Sequence, residues 1–80
     1  MATRRTVLRN TGVFTQAAGQ GKQVRFTYTD QKGVTTRRTV VVVKALTTRH
    51  NPDALLIEGR EGLNVRHFRT DRVQRAKIVD

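Results

Sequence analysis

The chain has 80 residues and a formal charge of +10, from sixteen Lys and Arg against six Asp and Glu. A single domain this small buries only roughly 60–65% of its unfolded surface, so its core is thin. Cysteine is absent, which excludes a disulfide framework and a thiolate metal site, and no apolar run approaches the ~20 residues needed to span a bilayer.

No apolar signal-peptide core follows Met1, and the lack of cysteine suits a reducing compartment. The expected location is cytoplasmic. A surface of this sign attracts polyanions, nucleic acid first and an anionic membrane surface or an acidic protein second.

Met1 to Asn10 is basic and poor in apolar residues. It is expected to be a flexible arm, with Thr6-Val7-Leu8 available as a short edge strand. Thr11 is expected to cap a short helix, on which Val13, Phe14, Ala17 and Ala18 share a face. Gly19 and Gly21 end it. From Gln23 to Thr29 the chain alternates, Val24, Phe26 and Tyr28 against Arg25, Thr27 and Thr29, which predicts a half-buried strand. Asp30-Gln31-Lys32-Gly33 predicts a turn, and Val34 to Lys44 a second strand. Its Val40–Val43 run is apolar on both faces, so coverage on both sides is expected there.

Thr47 to Asp53 is a polar loop holding the only proline, Pro52. A third strand is predicted over Ala54–Glu58, a turn at Arg60-Glu61-Gly62, a fourth strand over Leu63–Arg69 and a short fifth within Val73–Val79. The fold class is mainly β: a short N-terminal helix, then a five-stranded, strongly bent antiparallel sheet. Closure into a small barrel would remove its exposed edges. Residues 11–80 form this one domain, and residues 1–10 the arm.

Arg66-His67-Phe68-Arg69-Thr70-Asp71-Arg72-Val73 is the most distinctive stretch. A guanidinium is a planar fork of donors that matches phosphate, and an aromatic beside it offers a base a stacking surface. The competing expectation is that some of these arginines pair with Asp71 or Glu58 and only hold the sheet together. Arg38 shares the face of Val40 and Val42, where it either meets a ligand or lays its stem on the sheet with its head in water. Phe26 and Phe68 are expected in the core, and Tyr28 needs a hydroxyl partner if buried. His50 and His67 could form an acid–base pair for cleaving RNA, but nothing in the sequence links them. With no positioned acid–base pair and no ligand-type spacing, neither an enzyme nor a metal site is expected.

The order Val24-x-Phe26-x-Tyr28, Gly33, Arg38-x-Val40, Leu55 and Arg66-x-Phe68-Arg69-x-Asp71-Arg72-Val73 resembles the WYL domain over roughly residues 11–79. The resemblance implies an Sm-like small barrel of five strands behind a short helix. It also implies a sensor module of bacterial and phage transcription regulators that binds nucleic acid or nucleotide-type anions through arginines. Carried onto this chain, Arg38, Arg66, Arg69 and Arg72 are the anion ligands that grip phosphates; beside that carry-over, Tyr28 or His67 is expected to flank a base. No cofactor is implied. The departures are clear: the family's Trp-Tyr-Leu signature falls on Asp53-Ala54-Leu55, and Val42 stands where a proline is usual. Residues 1–10 cannot hold the helix-turn-helix that commonly precedes the domain, so a stand-alone version is expected. The leading expectation is a non-enzymatic module for single-stranded nucleic acid or a nucleotide-like anion in transcription regulation. The alternative is a protein-interaction module that docks on an acidic partner or self-assembles through strand edges.

Overall fold

The computed structural model describes residues 3–49 and 51–79. His50 therefore lies outside the described residues. Helix α1 spans Arg4–Gln20, with Thr3 as its N-cap accepting from the Thr6 N–H at 3.2 Å. Gly21 (φ 65) ends it by donating its N–H to the Ala17 carbonyl, the left-handed cap that glycine adopts without strain.

The helix thus begins about two turns earlier than expected. Residues 4–10 are helix, neither a loose arm nor an edge strand. The physical reason is a buried stripe, Val7, Asn10, Phe14 and Ala17, whose spacing continues the helical face back past Thr11. Arg4 Nε also donates to Asp53 Oδ2 at 2.8 Å. That hydrogen bond, and then the carboxylate's charge, raises the Arg4 guanidinium above its ordinary value.

Five antiparallel strands follow: β1 Gln23–Thr29, β2 Thr35–Thr47, β3 Leu55–Glu61, β4 Asn64–Arg69 and β5 Val73–Val79. A 3-10 turn, Thr70–Arg72, joins the last two. The β1–β2 turn is built by Asp30, whose Oδ1 accepts from the N–H groups of Lys32 and Val34, both at 2.9 Å. Gly33 takes φ 84 there. In the β3–β4 hairpin, Glu61 pairs with Asn64 across Gly62 (φ 57) and Leu63, a two-residue loop that opens on glycine.

The strand order is β4-β3-β2-β1-β5. β2 makes the bend. Its residues 35–40 pair with β1 alone, and pairing with β3 starts at Val41. The register shifts between Val42 and Lys44 and between Arg25 and Thr27, and bulges of this kind increase local twist. The expected closure does not occur: β4 and β5 are the two edges of the sheet, not a hydrogen-bonded pair. The 3-10 turn Thr70–Arg72 carries the chain from one edge strand to the other.

Helix α1 covers the concave face. Phe14, Val24, Val40, Ile57 and Val73 are fully buried there, with Phe26 and Phe68 nearly so. Coverage of the valine run is one-sided: Val40 and Val42 are buried, while Val43 is 54% exposed. Gly59 lies flat on Val40; a Cβ there would stand 2.9 Å from Val40 Cγ2. Because Val40 is itself enclosed, Gly59→Ala is expected to destabilise the fold by about 1–3 kcal/mol, measurable by urea titration with unchanged m-value.

Candidate anion-binding site

Alternation along β1 and β2 sets the site. Val24, Phe26 and Tyr28 face inward, and opposite them on β2 stand Val40, Arg38 and Thr36. At the open end of the sheet the apolar stack therefore gives way to Tyr28, Arg38 and Thr36. β4 adds Arg66 and Phe68, opposite Gly59 and Ile57 of β3. Phe68 meets Tyr28 edge-to-face, with ring centroids 5.0 Å apart.

Two lobes meet over Tyr28. One, of about 410 Å³, is lined by Tyr28, Asp30, Gln31, Lys32, His67, Arg69 and Arg72. The other, also about 410 Å³, is lined by Tyr28, Asp30, Val34, Thr36, Arg38, Arg66, His67 and Phe68. They share Tyr28, Asp30 and His67. Each has the size of a small-ligand site.

Arg38 is held from three directions. Its Nε donates to Thr36 Oγ1 at 3.0 Å, its Nη1 donates to Glu61 Oε1 at 2.8 Å, and its Cζ lies 5.8 Å from the Phe68 ring centroid. That last distance is within cation–π range. Arg66 Nε lies 3.1 Å from the same Glu61 oxygen. One carboxylate thus serves two guanidiniums and cannot neutralise both. Arg69 forms a two-pronged pair with Asp71, Nε to Oδ1 at 3.1 Å and Nη2 to Oδ2 at 2.6 Å. This engages two of its five N–H donors. Arg72 has no ion pair among the described residues. His67 Nε2 stands 3.4 Å from Glu58 Oε1, an ion pair only when the imidazole is protonated.

The six residues expected from the sequence, Arg38, Arg66, Arg69, Arg72, Tyr28 and His67, are brought together around these two lobes. The competing expectation of structural pairing also applies to part of the set, since Arg69 is paired with Asp71. Arg69 has the opposite strand parity to Arg66 and Phe68. It enters the first lobe because β4 ends there. Tyr28 finds the partner its hydroxyl needs by accepting from the Arg69 N–H at 3.2 Å. Lys32, Asp30 and Thr36 were missed by sequence reasoning. Their signal is the turn itself, which places residues 30–34 beside the end of the Tyr28 face.

No protein-family model matches the chain, and no curated protein matches it in sequence. Among solved structures, it is similar to proteasome accessory factor B/C (PafBC) of Arthrobacter aurescens, with a TM-score of 0.75 and 23% identity. The match covers 98% of this chain. The likeness is one of fold, and it is WYL-like. The chain spans 12% of the length of that protein. The match takes in α1 as well as the sheet, so the helix belongs to the shared architecture.

Proposed function

We propose that this is a non-enzymatic regulatory binding module that holds single-stranded nucleic acid, or a nucleotide-like anion, in the two-lobed cleft around Tyr28. The observation that carries the reading is the gathering of Arg38, Arg66, Arg69 and Arg72 with Tyr28 and His67 on two adjoining lobes. The carboxylates of the cleft are committed: Glu61 to two arginines, Asp71 to Arg69, and Asp30 to the turn N–H groups. They orient donors around the cleft.

In this reading Arg72 and Arg66 meet phosphates first, being unpaired and half-paired respectively. Arg38 and Arg69, held by their carboxylates, present their remaining N–H groups in fixed directions, which lowers the ordering cost of binding. His67, 57% exposed in its side chain, is the surface on which a base stacks. Phe68 is only 3% exposed and acts as the floor. The regulatory role rests on the WYL resemblance, a family of bacterial and phage transcription regulators, and on the fold likeness to PafBC. A cytoplasmic setting goes with that role.

The test is fluorescence anisotropy of a labelled oligothymidylate at several salt concentrations. Arg66→Ala with Arg72→Ala is expected to weaken binding about tenfold per arginine. The log–log salt slope should become shallower by about 0.7 for each phosphate that the double variant no longer grips. No saturable binding at low salt, or an unchanged slope in the double variant, would remove this reading.

A second reading, self-assembly or docking on a partner protein, is favoured by one observation. The outer edge of β4 is open, and beside it Leu63 is fully exposed and Val65 54% exposed. Open edges of this kind template strand addition. Sedimentation at micromolar protein decides it: a persistent dimer or ring supports the second reading, and a monomer removes self-assembly.

A further inference from the structure

The convex side of the sheet carries a different charge pattern from the Tyr28 cleft. Arg25 and Thr27 of β1 point outward, flanked by Thr39 and Arg37 of β2 and by Lys77 and Gln74 of β5. Arg25 stands directly opposite Lys77 in the ladder. Like charges in that arrangement are destabilising, and neither has an ion pair among the described residues. No described acid lines this face: Asp30 is held in its turn, Asp53 by Arg4, Glu61 by Arg38 and Arg66 and Asp71 by Arg69, and Glu58 lies beside His67.

A groove of about 440 Å³ runs between these side chains, lined by Arg25, Phe26, Thr27, Arg37, Arg75 and Lys77. It holds four cations and no acid. Arg75 has φ 56 and is the one residue besides glycine with positive φ among the described residues. It sits where β5 bulges against β1, between Gln74 and Lys77 of the register. The left-handed conformation is strained for an arginine, and glycine is the residue such a bulge favours. The fold therefore tolerates both unrelieved repulsion and local strain at one place, and both aim cations into one groove.

This groove and the cleft lie on opposite faces and are linked through one residue, Arg38. A shallower depression of about 360 Å³ joins Arg25 and Arg37 to Arg38 and Thr39, and Arg38 also lines the second lobe of the cleft. The path crosses β2 over residues 35–40, the segment that pairs with β1 alone and leaves its other edge open.

We infer that the ligand is a polymer, a single strand of nucleic acid. One nucleotide sits in the Tyr28 cleft, and the backbone continues past Arg38 into an acid-free phosphate groove formed by Arg25, Arg37, Arg75 and Lys77. This rests on the reading of the cleft given above and extends it to a second binding region on the other face. Cations on adjacent strands stand roughly 5 Å apart, so several successive phosphates meet a donor without bending side chains far. The hydroxyls of Thr27 and Thr39 add neutral donors along the same track.

Two labelled oligothymidylates test it, of about 4 and about 16 nucleotides, the span of site sizes seen for small barrels. The triple variant Arg25→Ala, Arg37→Ala, Lys77→Ala is expected to lose about 100-fold in affinity for the longer strand, with the salt slope shallower by about 2. Affinity for the short strand should fall less than threefold. Arg75→Gly relieves the strain while removing a cation. It should raise Tm by about 4–8 °C and still weaken the longer strand several-fold. A control triple, Arg5→Ala, Arg9→Ala, Arg49→Ala, removes equal charge elsewhere and should have little effect.

Unchanged affinity and slope in the Arg25/Arg37/Lys77 variant overturn the groove, whatever the Arg66/Arg72 variant does. An equal loss in the control triple overturns it also, by showing diffuse attraction alone. A poly-glutamate of matched charge that competes as well as the oligonucleotide overturns the assignment to nucleic acid. Loss in the groove variant with none in the Arg66/Arg72 variant supports the groove and discards the cleft.

Discussion

Phe26→Ala is expected to lower stability by about 3–5 kcal/mol and to depress Tm by at least ~15 °C. The ring is 2% exposed and lies at the junction of helix, sheet and cleft. It meets Phe14 of α1 at 5.3 Å, Phe68 of β4 at 5.1 Å and Tyr28 at 6.3 Å between centroids, each edge-to-face. Such pairs contribute roughly 0.5–1.5 kcal/mol beyond burial, so truncation removes the hub of a connected aromatic group. A chain of 80 residues has roughly 4–12 kcal/mol in all, of which this is a large share. The loss also reaches the cleft, because Phe68 and Tyr28 form its floor and wall. Phe26→Leu, which keeps most of the volume, should recover more than half of the stability. Thermal melts followed by circular dichroism measure both, and a Phe26→Ala shift below ~5 °C would refute this account of the core.

Asn10→Ala is expected to cost about 2–4 kcal/mol, a large effect for a polar residue. Asn10 is 1% exposed, and its Nδ2 donates to the carbonyls of Thr70 at 3.1 Å and Val73 at 2.8 Å. Alanine removes a donor from both carbonyls: the Thr70 carbonyl keeps the Val73 N–H and loses about 1 kcal/mol, while the Val73 carbonyl loses about 1–3 kcal/mol. The neighbouring hydroxyls offer no replacement. Thr11 Oγ1 already donates to the Asp53 carbonyl at 2.8 Å, so it accepts from Thr70, 3.1 Å away. Thr70 Oγ1 in turn accepts from the Leu55 N–H at 2.9 Å. This latch ties α1 to the 3-10 turn and to the start of β3. It therefore positions Arg69 and Arg72, on either side of Thr70 and Asp71. Asn10→Asp keeps the shape and removes the donor, so at neutral pH it should do no better than alanine. Urea titration gives the energies, and an Asn10→Ala loss under ~1 kcal/mol would show that the latch contributes little.

Asn10 also shows where the sequence stops being legible. The strands are visible because Val24, Phe26 and Tyr28 alternate without interruption, and because Asp30 and Gly33 mark the turn after them. The helix start is hidden because its buried face passes through an asparagine. That residue belongs inside only because two carbonyls some sixty positions away need it. Closure of the barrel cannot be judged from strand count, since it depends on whether β4 and β5 pair across the Thr70–Arg72 turn. Within the site, parity puts Arg38 in line with Val40 and Arg66 in line with Phe68. It does not show that Glu61 lies between the two guanidiniums, an arrangement made across β3. The outward alternation of Arg25 and Thr27 is equally plain. Its weight emerges only when β2 and β5 bring Arg37, Arg75 and Lys77 beside it and no described acid lines that face.

The most direct measurement is a titration of isotope-labelled protein with an oligothymidylate of about 8 nucleotides, following arginine Nε–Hε signals and the Tyr28 ring by NMR. The account predicts saturable, concerted shifts at Arg38, Arg66, Arg69 and Arg72, with the Tyr28 ring moving at the same midpoint. Small, unsaturated shifts spread evenly over the arginines, with Arg5, Arg9 and Arg49 moving as much as Arg66 and Arg72, would contradict it.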